Sequence, residues 1–251
     1  MNPELQSWHG HIALVTGASS GIGRALAEDL GRLGMKVAVT GRRESALAET
    51  AQAIRAAGGE ALTLVGDQCD AATNRRFFAD LKSHWGTPDV LLNNAGTVGG
   101  RTLLQSDWAE IQSALDLNIR AAILCMREAA NAMRDKPKGA IINISSMTGH
   151  RIVPGTPPLY AATKHALRIL TDGLRAELAQ DGRNVKVALL SPGLVDTPWH
   201  GKPGGLIAQR GSYPYPPLTP VDIIAAMRYV LAAPPNVQVC DIQMRPTLQP
   251  F

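Results

Sequence analysis

Tyr160-Ala-Ala-Thr-Lys164 sets a phenol and an ammonium four residues apart. On a helix such a pair shares one face, about one turn apart. Leu167, Leu170, Leu174 and Leu178 continue with helical spacing and predict that helix. The chemistry of the two groups is complementary. A free tyrosine has a pKa near 10 and is a poor acid or base at neutral pH. An ammonium at about 4 Å, with an effective dielectric near 20, favours the phenolate by roughly 4 kcal/mol, about three pKa units before burial opposes it. Such a phenol could pass a proton to or from a carbonyl oxygen. The spacing alone describes a solvated surface pair equally well, so its weight depends on its surroundings.

Two features surround it. Ile141-Ile-Asn-Ile-Ser-Ser146 reads as a buried strand whose serines emerge at its carboxyl end, just before the Tyr160 helix. That edge is where an open α/β sheet binds its ligand. The Ser146 hydroxyl could donate to the carbonyl oxygen that Tyr160 protonates, although two serines at a strand end could also be a turn or cap. Trp108, Ile111, Leu115, Ala122 and Cys125 predict an earlier helix, with Asn118 on the same apolar stripe. A buried amide must be satisfied. Asn118 could bond the helix backbone at a kink, or hold a water that links Lys164 to solvent.

A second chemistry lies near the start of the chain. Thr16-Gly-Ala-Ser-Ser-Gly-Ile-Gly23 falls between an apolar run and a helical pattern. Gly17, Gly21 and Gly23 suit a tight turn, close backbone approach to a pyrophosphate, and close packing of helix on strand. Ser19, Ser20 and Ile22 complete the loop, and the helix amides behind it would face the anion. The next strand ends Val39-Thr-Gly-Arg42-Arg43, with no acid to bind a ribose 2′-hydroxyl. Arg42, with Arg43 beside it, could instead fork a 2′-phosphate, which selects NADP. Two arginines opening a helix could also be plain surface. Asp67, closing the third strand, is a candidate adenine contact or a helix cap. Asn93-Asn94-Ala95-Gly96 closes the fourth strand and could pass close to the adenosine ribose, or form a simple turn.

The elements that must position these groups alternate along the chain. Strands are predicted at 12–16, 36–40, 61–65, 90–93, 140–144, 185–190 and 237–242. Helices are predicted at 22–33, 44–57 and 221–232, with others starting near Ala71, Ser106 and Tyr160. Strands that are apolar throughout imply a sheet covered on both faces, the parallel kind. The expectation is an α/β, doubly wound Rossmann fold: one parallel sheet of about seven strands with helices on both faces, in one domain over 1–251. The stretch 192–220, rich in Pro, Gly and aromatic residues, is expected to lie over the ligand edge as a substrate loop.

Bulk properties narrow the class. The 251 residues are 45% hydrophobic with a net charge of +4, which suits a folded domain and contains no charge run typical of a nucleic-acid tail. Cys69, Cys125 and Cys240 are far apart, without metal-ligand spacing, and read as reduced thiols. The start of the chain has no signal-peptide pattern, and no run of about 18 apolar residues suggests a membrane span. A cytoplasmic protein acting on a small molecule is expected, with no nucleic-acid, membrane or metal partner.

As a set, the glycine loop, Asn93–Gly96, Asn118, Ser146, Tyr160-x3-Lys164 and Pro192-Gly193 with Thr197 resemble the short-chain dehydrogenase/reductases in their single-domain form. The resemblance implies hydride transfer between nicotinamide and a carbonyl or secondary alcohol, without metal. It implies Tyr160 as general acid/base, Lys164 as its pKa modulator and a ribose ligand, Ser146 as the orienting hydroxyl and Asn118 as the water-holding member. Pro192, Gly193, Val195 and Thr197 would meet the nicotinamide end. A homotetramer or dimer is implied, with contacts through the helices carrying Asn118 and Tyr160. Ser146 lies 14 residues before Tyr160, one more than is usual in the family, which places an extra residue in the loop 149–158.

Ser146-Met-Thr-Gly-His-Arg151 and Asp241-Ile-Gln-Met-Arg-Pro246 are similar to a subgroup of 3-hydroxy-acid (serine-type) dehydrogenases and ketosteroid-reducing members. Trp199, Leu206, Tyr213 and Tyr215 could line a pocket for a hydrophobic ketone, or merely anchor the loop. His165 reads as structural, and His200 as a possible pocket residue. The rival readings are a 3-oxoacyl carrier-protein reductase, a dinucleotide-sensing regulator without activity, and an epimerase or dehydratase, which would need a larger C-terminal part.

Overall fold

A computed structural model describes residues 3–99, 102–152, 155–200 and 211–250. Seven strands form one sheet: β1 Ile12–Thr16, β2 Lys36–Gly41, β3 Glu60–Val65, β4 Val90–Asn93, β5 Gly139–Ile144, β6 Val185–Pro192 and β7 Asp241–Met244. Their order is β3-β2-β1-β4-β5-β6-β7, and every pairing is parallel. Parallel pairing requires a crossover between successive strands, and helices supply it. These are α2 Gly21–Arg32, α3 Glu44–Ala56, α4 Ala71–His84, the segment α5 Trp108–Leu115 with α6 Ala122–Ala132, α7 Pro158–Gln180 and α8 Pro220–Ala232. A short α1, Pro3–Gln6, precedes β1.

Successive strand residues feed two separate cores, as strand geometry demands. Ala13, Val15, Leu92 and Ile142 face Leu26 and Leu30 of α2 and Val230 of α8. Leu14, Leu91, Ile141 and Val187 face Phe77 of α4, Ala129 of α6 and Leu167 of α7. The doubly wound sandwich expected from the apolar strands is therefore present. Chain order reverses between β1 and β4, which opens a crevice at the carboxyl ends of those strands.

Two elements depart from expectation. The last strand spans Asp241–Met244 rather than 237–242. Val237 closes a turn, its N–H donating to the Pro234 carbonyl at 2.9 Å. Gln238 then uses its side chain where a strand would use backbone: Oε1 accepts from Val187 N at 3.0 Å and Nε2 donates to Val187 O at 3.0 Å. Main-chain pairing to β6 begins only beyond it. The second departure is on α5, where Trp108 is 75% exposed and Leu115 is also exposed, while Ala114 faces the core. Between α5 and α6 the helix widens into a π turn over Asp116–Ala121. The inserted turn offsets the stripe, so Asn118, Ala122 and Cys125 stay buried while Trp108 and Leu115 face outward. No helix among the described residues is long and apolar enough to cross a membrane.

Candidate active site

A cleft of about 910 Å³ follows the carboxyl edge of the sheet, with the glycine loop and Arg42 at one end and Ser146, Tyr160 and Lys164 at the other. Its size falls within the usual range for small-molecule sites, roughly 300–1,000 Å³.

At the first end, Gly17 and Gly21 adopt left-handed backbone, φ 65° and 58°, which only glycine enters without strain. A Cβ on Gly17 would also come within 2.8 Å of Ala95 Cα. Asn94 buttresses the turn from below: its N–H donates to Thr16 Oγ1 at 3.0 Å and its Nδ2 to Thr16 O at 3.0 Å. Gly23 does not line the cleft; a Cβ there would collide with Asn94 Nδ2 and the Gly17 carbonyl. It serves the packing of α2 on β1. Ser20 begins α2 without a side-chain cap bond, so the first-turn amides keep their capacity for an anion.

The serines of this loop answer instead to Arg43. Its Nη2 donates to Ser19 Oγ and Ser20 Oγ, both at 2.9 Å, laying the guanidinium against the loop. Arg42 stays 75% exposed at the cleft mouth, with Nη1 3.9 Å from Asp67 Oδ2. Asp67 is not the cap of α4, because Asp70 fills that role by accepting from Ala72 N and Thr73 N. Asp67 lines the cleft, as do Ile22, Ala95 and Gly96.

At the second end, β5 delivers two serines with different fates. Ser145 is buried and donates to the Lys164 carbonyl at 3.3 Å. Ser146 lines the cleft, accepts from Thr148 Oγ1 at 3.0 Å, and its hydroxyl works against the effect of burial on the Tyr160 phenol. The longer interval to Tyr160 therefore does not part them; residues 153–154 of that loop lie outside the described set. The turn after Ser146 is stapled to the sheet through His150, whose Nε2 lies 2.9 Å from Ser191 Oγ and 3.1 Å from Asp241 Oδ2.

Lys164 projects from α7 toward the sheet, its Nζ donating to the Ile144 carbonyl at 2.9 Å and standing 5.7 Å from the Tyr160 ring centre. Gly96 makes this convergence possible: a Cβ there would lie 3.2 Å from Asn118 Oδ1 and 3.5 Å from Lys164 Nζ. Asn118 itself accepts from Thr97 N at 2.8 Å and donates to Thr97 O at 2.7 Å and Thr163 Oγ1 at 3.0 Å. Both its amide hydrogens are committed, so a water at Asn118 would have to be held through an oxygen. The side chain ties the segment after β4 to the helix that carries Lys164.

The electrostatic balance differs from the sequence expectation. Burial pushes the Tyr160 phenol up to about 12, and the Ser146 hydrogen bond only partly opposes this. Burial also lowers Lys164 to about 8. Desolvation dominates both groups. At neutral pH the pair is a protonated phenol beside a cation.

The described aromatic residues of the 192–220 stretch divide between the cleft and the loop itself. Trp199 and Tyr215 line the cleft, as does His200, whose Nε2 sits 3.1 Å from the Val195 carbonyl. Tyr213 anchors instead, donating to Asp196 Oδ1 at 2.6 Å and packing edge-on against His200. Leu206 lies outside the described residues. Pro192, Gly193, Val195 and Thr197 line the cleft between the two ends. His165 is structural, with Nδ1 2.8 Å from the Ala161 carbonyl. Sequence reasoning missed Gln249, which lines the cleft and accepts from Leu194 N at 3.1 Å. A glutamine 55 residues further along the chain carries no local signal of this contact.

Comparison with known proteins agrees with this geometry. The family described as short chain dehydrogenase matches residues 11–203. Dehydrogenase/reductase SDR family member 11 of Bos taurus is 37% identical over 98% of this chain and 99% of its own length. Farnesol dehydrogenase of Aedes aegypti is 34% identical over 98% and 100%. The crystal structure of L-sorbose reductase from Gluconobacter frateurii, complexed with NADPH and L-sorbose, superposes with a TM-score of 0.83 at 26% identity, covering 94% of this chain and 95% of that one. With its parallel seven-stranded sheet and the order of its motifs, the chain belongs to the short-chain dehydrogenase/reductase family of oxidoreductases.

Proposed function

We propose that the protein is an NADP-dependent oxidoreductase that interconverts a ketone or aldehyde and its alcohol, with Tyr160 as general acid/base. The observation that carries this reading is the meeting of Tyr160, Ser146 and the buried Lys164 on one wall of a cleft that begins at an anion-ready glycine loop. The residues present fit the dinucleotide: open α2 amides for the pyrophosphate, and Arg42 and Arg43 for a 2′-phosphate. Asp67 and the 94–96 segment would take the adenosine part, and Pro192, Gly193, Val195 and Thr197 the nicotinamide end. When bound, the cofactor supplies or accepts the hydride.

The chain's own residues handle the proton. Tyr160 holds its proton at Oη at neutral pH and enters the reductive direction as an acid. Its Oη–H donates to the substrate oxygen as negative charge develops there, while Ser146 Oγ orients that oxygen. Lys164, charged below about pH 8, stabilises the phenolate left behind. Asn118, acting through Thr97 and Thr163, positions the helix that carries the pair.

Trp199 and Tyr215 on the cleft wall support a partly hydrophobic substrate. The relatives named above include a dehydrogenase of farnesol and a reductase of L-sorbose, so substrate class varies among them. Exposed Trp108, Leu115 and Ile123 along α5–α6 and Ile169 on α7 support assembly into a homodimer or homotetramer. The deciding experiment offers ketones, aldehydes and diketones to the purified protein and follows NADPH absorbance. Tyr160→Phe should lower turnover at least 100-fold, on the order of a lost general acid, while the NADPH Kd stays within about threefold. Near-wild-type turnover by that variant would refute the assignment.

A further inference from the structure

The C-terminal tail closes one wall of the cleft. Arg245 Nη1 donates to the Gln249 carbonyl at 2.8 Å, and Gln249 N donates to the Pro246 carbonyl at 3.0 Å, which folds the tail into a held turn. The Gln249 side chain is only 8% exposed, yet it lines the cleft beside Leu194. Gly193 admits it: a Cβ at that position would collide with Gln249 Oε1 and stand 2.9 Å from Arg245 Cβ.

The contact with Leu194 also fixes which end of the amide is which. Leu194 N–H can only donate, so the oxygen faces it at 3.1 Å and the NH₂ group faces away. That Nε2 makes no hydrogen bond to any described residue. The atom keeps some access to solvent, unlike fully buried unpaired groups such as Thr40 Oγ1, so it is a donor that a ligand in the cleft can engage. The cleft it lines also carries the apolar side chains of Leu194, Val195, Pro198 and Trp199. In an apolar pocket one placed donor fixes orientation and specificity.

Resting on the carbonyl-reductase reading above, we propose that Gln249 is a specificity residue whose Nε2 donates to a second oxygen of the substrate. The preferred substrates are then oxo compounds bearing a further acceptor (a hydroxyl, an ester or carboxylate, or a second carbonyl) rather than simple ketones. Gln249 stands beside Gly193 and Leu194, between the glycine loop and the Tyr160 wall; its donor is assigned to the substrate, and the NADPH Kd below distinguishes that from a contact to the nicotinamide.

The test compares cyclohexanone with 1,2-cyclohexanedione and 4-hydroxycyclohexanone, in wild type, Gln249→Glu and Gln249→Leu. Wild type should favour at least one two-oxygen ketone by about tenfold in kcat/KM, the effect of one well-placed hydrogen bond. Gln249→Glu keeps an oxygen for Leu194 N–H and removes the donor. It should erase that preference through KM, with little change in the kcat ratio. Gln249→Leu, which loses both functions, should erase the preference and also weaken binding of every ketone. A preference that survives Gln249→Glu, or an equal loss on both ketone classes, would overturn the inference. So would a changed NADPH Kd with the ketone preference intact. Wild-type turnover without a preference overturns this inference alone, whereas no turnover on any carbonyl overturns the reductase reading beneath it.

Discussion

Lys164 is 5% exposed, and burial moves its pKa from 10.5 down to about 8. That shift is a statement about stability. Below about pH 8 the side chain is charged in the folded and the unfolded chain alike, and the folded state bears the full cost of desolvating it. Between about 8 and 10.5 the folded form releases its proton first, so the cost shrinks; above that window it is gone. At 1.36 kcal/mol per unit, the displacement from 10.5 to about 8 corresponds to about 3 kcal/mol at pH 7.

Lys164→Met fills much of the same volume without the charge, and forfeits the hydrogen bond to the Ile144 carbonyl, about 1 kcal/mol. The net expectation is a fold about 2 kcal/mol more stable at pH 7, which for a chain of this size raises Tm by roughly 4–8 °C. Turnover should be lost in the same variant. The assay is thermal unfolding of wild type and variant from pH 7 to pH 10.5. The gap should close with rising pH and reverse slightly at the top. A variant less stable than wild type at pH 7, or a gap constant across that range, would refute the argument that desolvated charge dominates at this site.

Two further outcomes are expected. Wild type should show a higher kcat/KM with NADPH than with NADH. Arg42→Ala and Arg43→Ala should each shrink that ratio by about tenfold, as loss of a charge-assisted bond implies; steady-state kinetics with both cofactors checks this, and a wild-type preference for NADH would exclude it. Trp108→Glu places a charge in the exposed apolar patch of α5 and should shift sedimentation toward a smaller species, while circular dichroism stays native.

Much of the fold was legible because a parallel sheet writes itself as uninterrupted apolar runs: β1 and β4 fall on the expected residues, and β2, β3 and β5 within one. The wall that carries Ser146, Tyr160 and Lys164 was legible for a related reason, since Ser146 follows an expected strand and the other two sit in the first turns of an expected helix. What escaped depends on tertiary contact. Gln238 imitating a strand neighbour delays β7, and nothing in Val237-Gln238-Val239 announces it. The π turn at Asn118 offsets α5 from the stripe that Trp108, Ile111 and Leu115 suggested. Arg43 over Ser19 and Ser20 is a long-range partnership, as is Gln249 on Leu194. The sign of the Tyr160 shift was missed because spacing reports the ammonium but not the depth of burial.

The asparagines at the ends of β4 and β5 lie opposite one another in register. Asn93 Nδ2 donates to Asn143 Oδ1 at 3.0 Å, Asn143 Nδ2 to Thr171 Oγ1 on α7 at 2.9 Å, and Thr16 on β1 reaches Asn93 at 3.5 Å. Such a polar row can be satisfied in only one alignment. Sliding either strand by a single residue would swing an amide onto the opposite, apolar layer and strand its partner. The row therefore works as a vernier. It sets the glycine loop that follows Thr16, the backbone that follows Asn93 and the serine that follows β5 to a common zero, so the two ends of the cleft are indexed to each other across strands that the chain visits far apart.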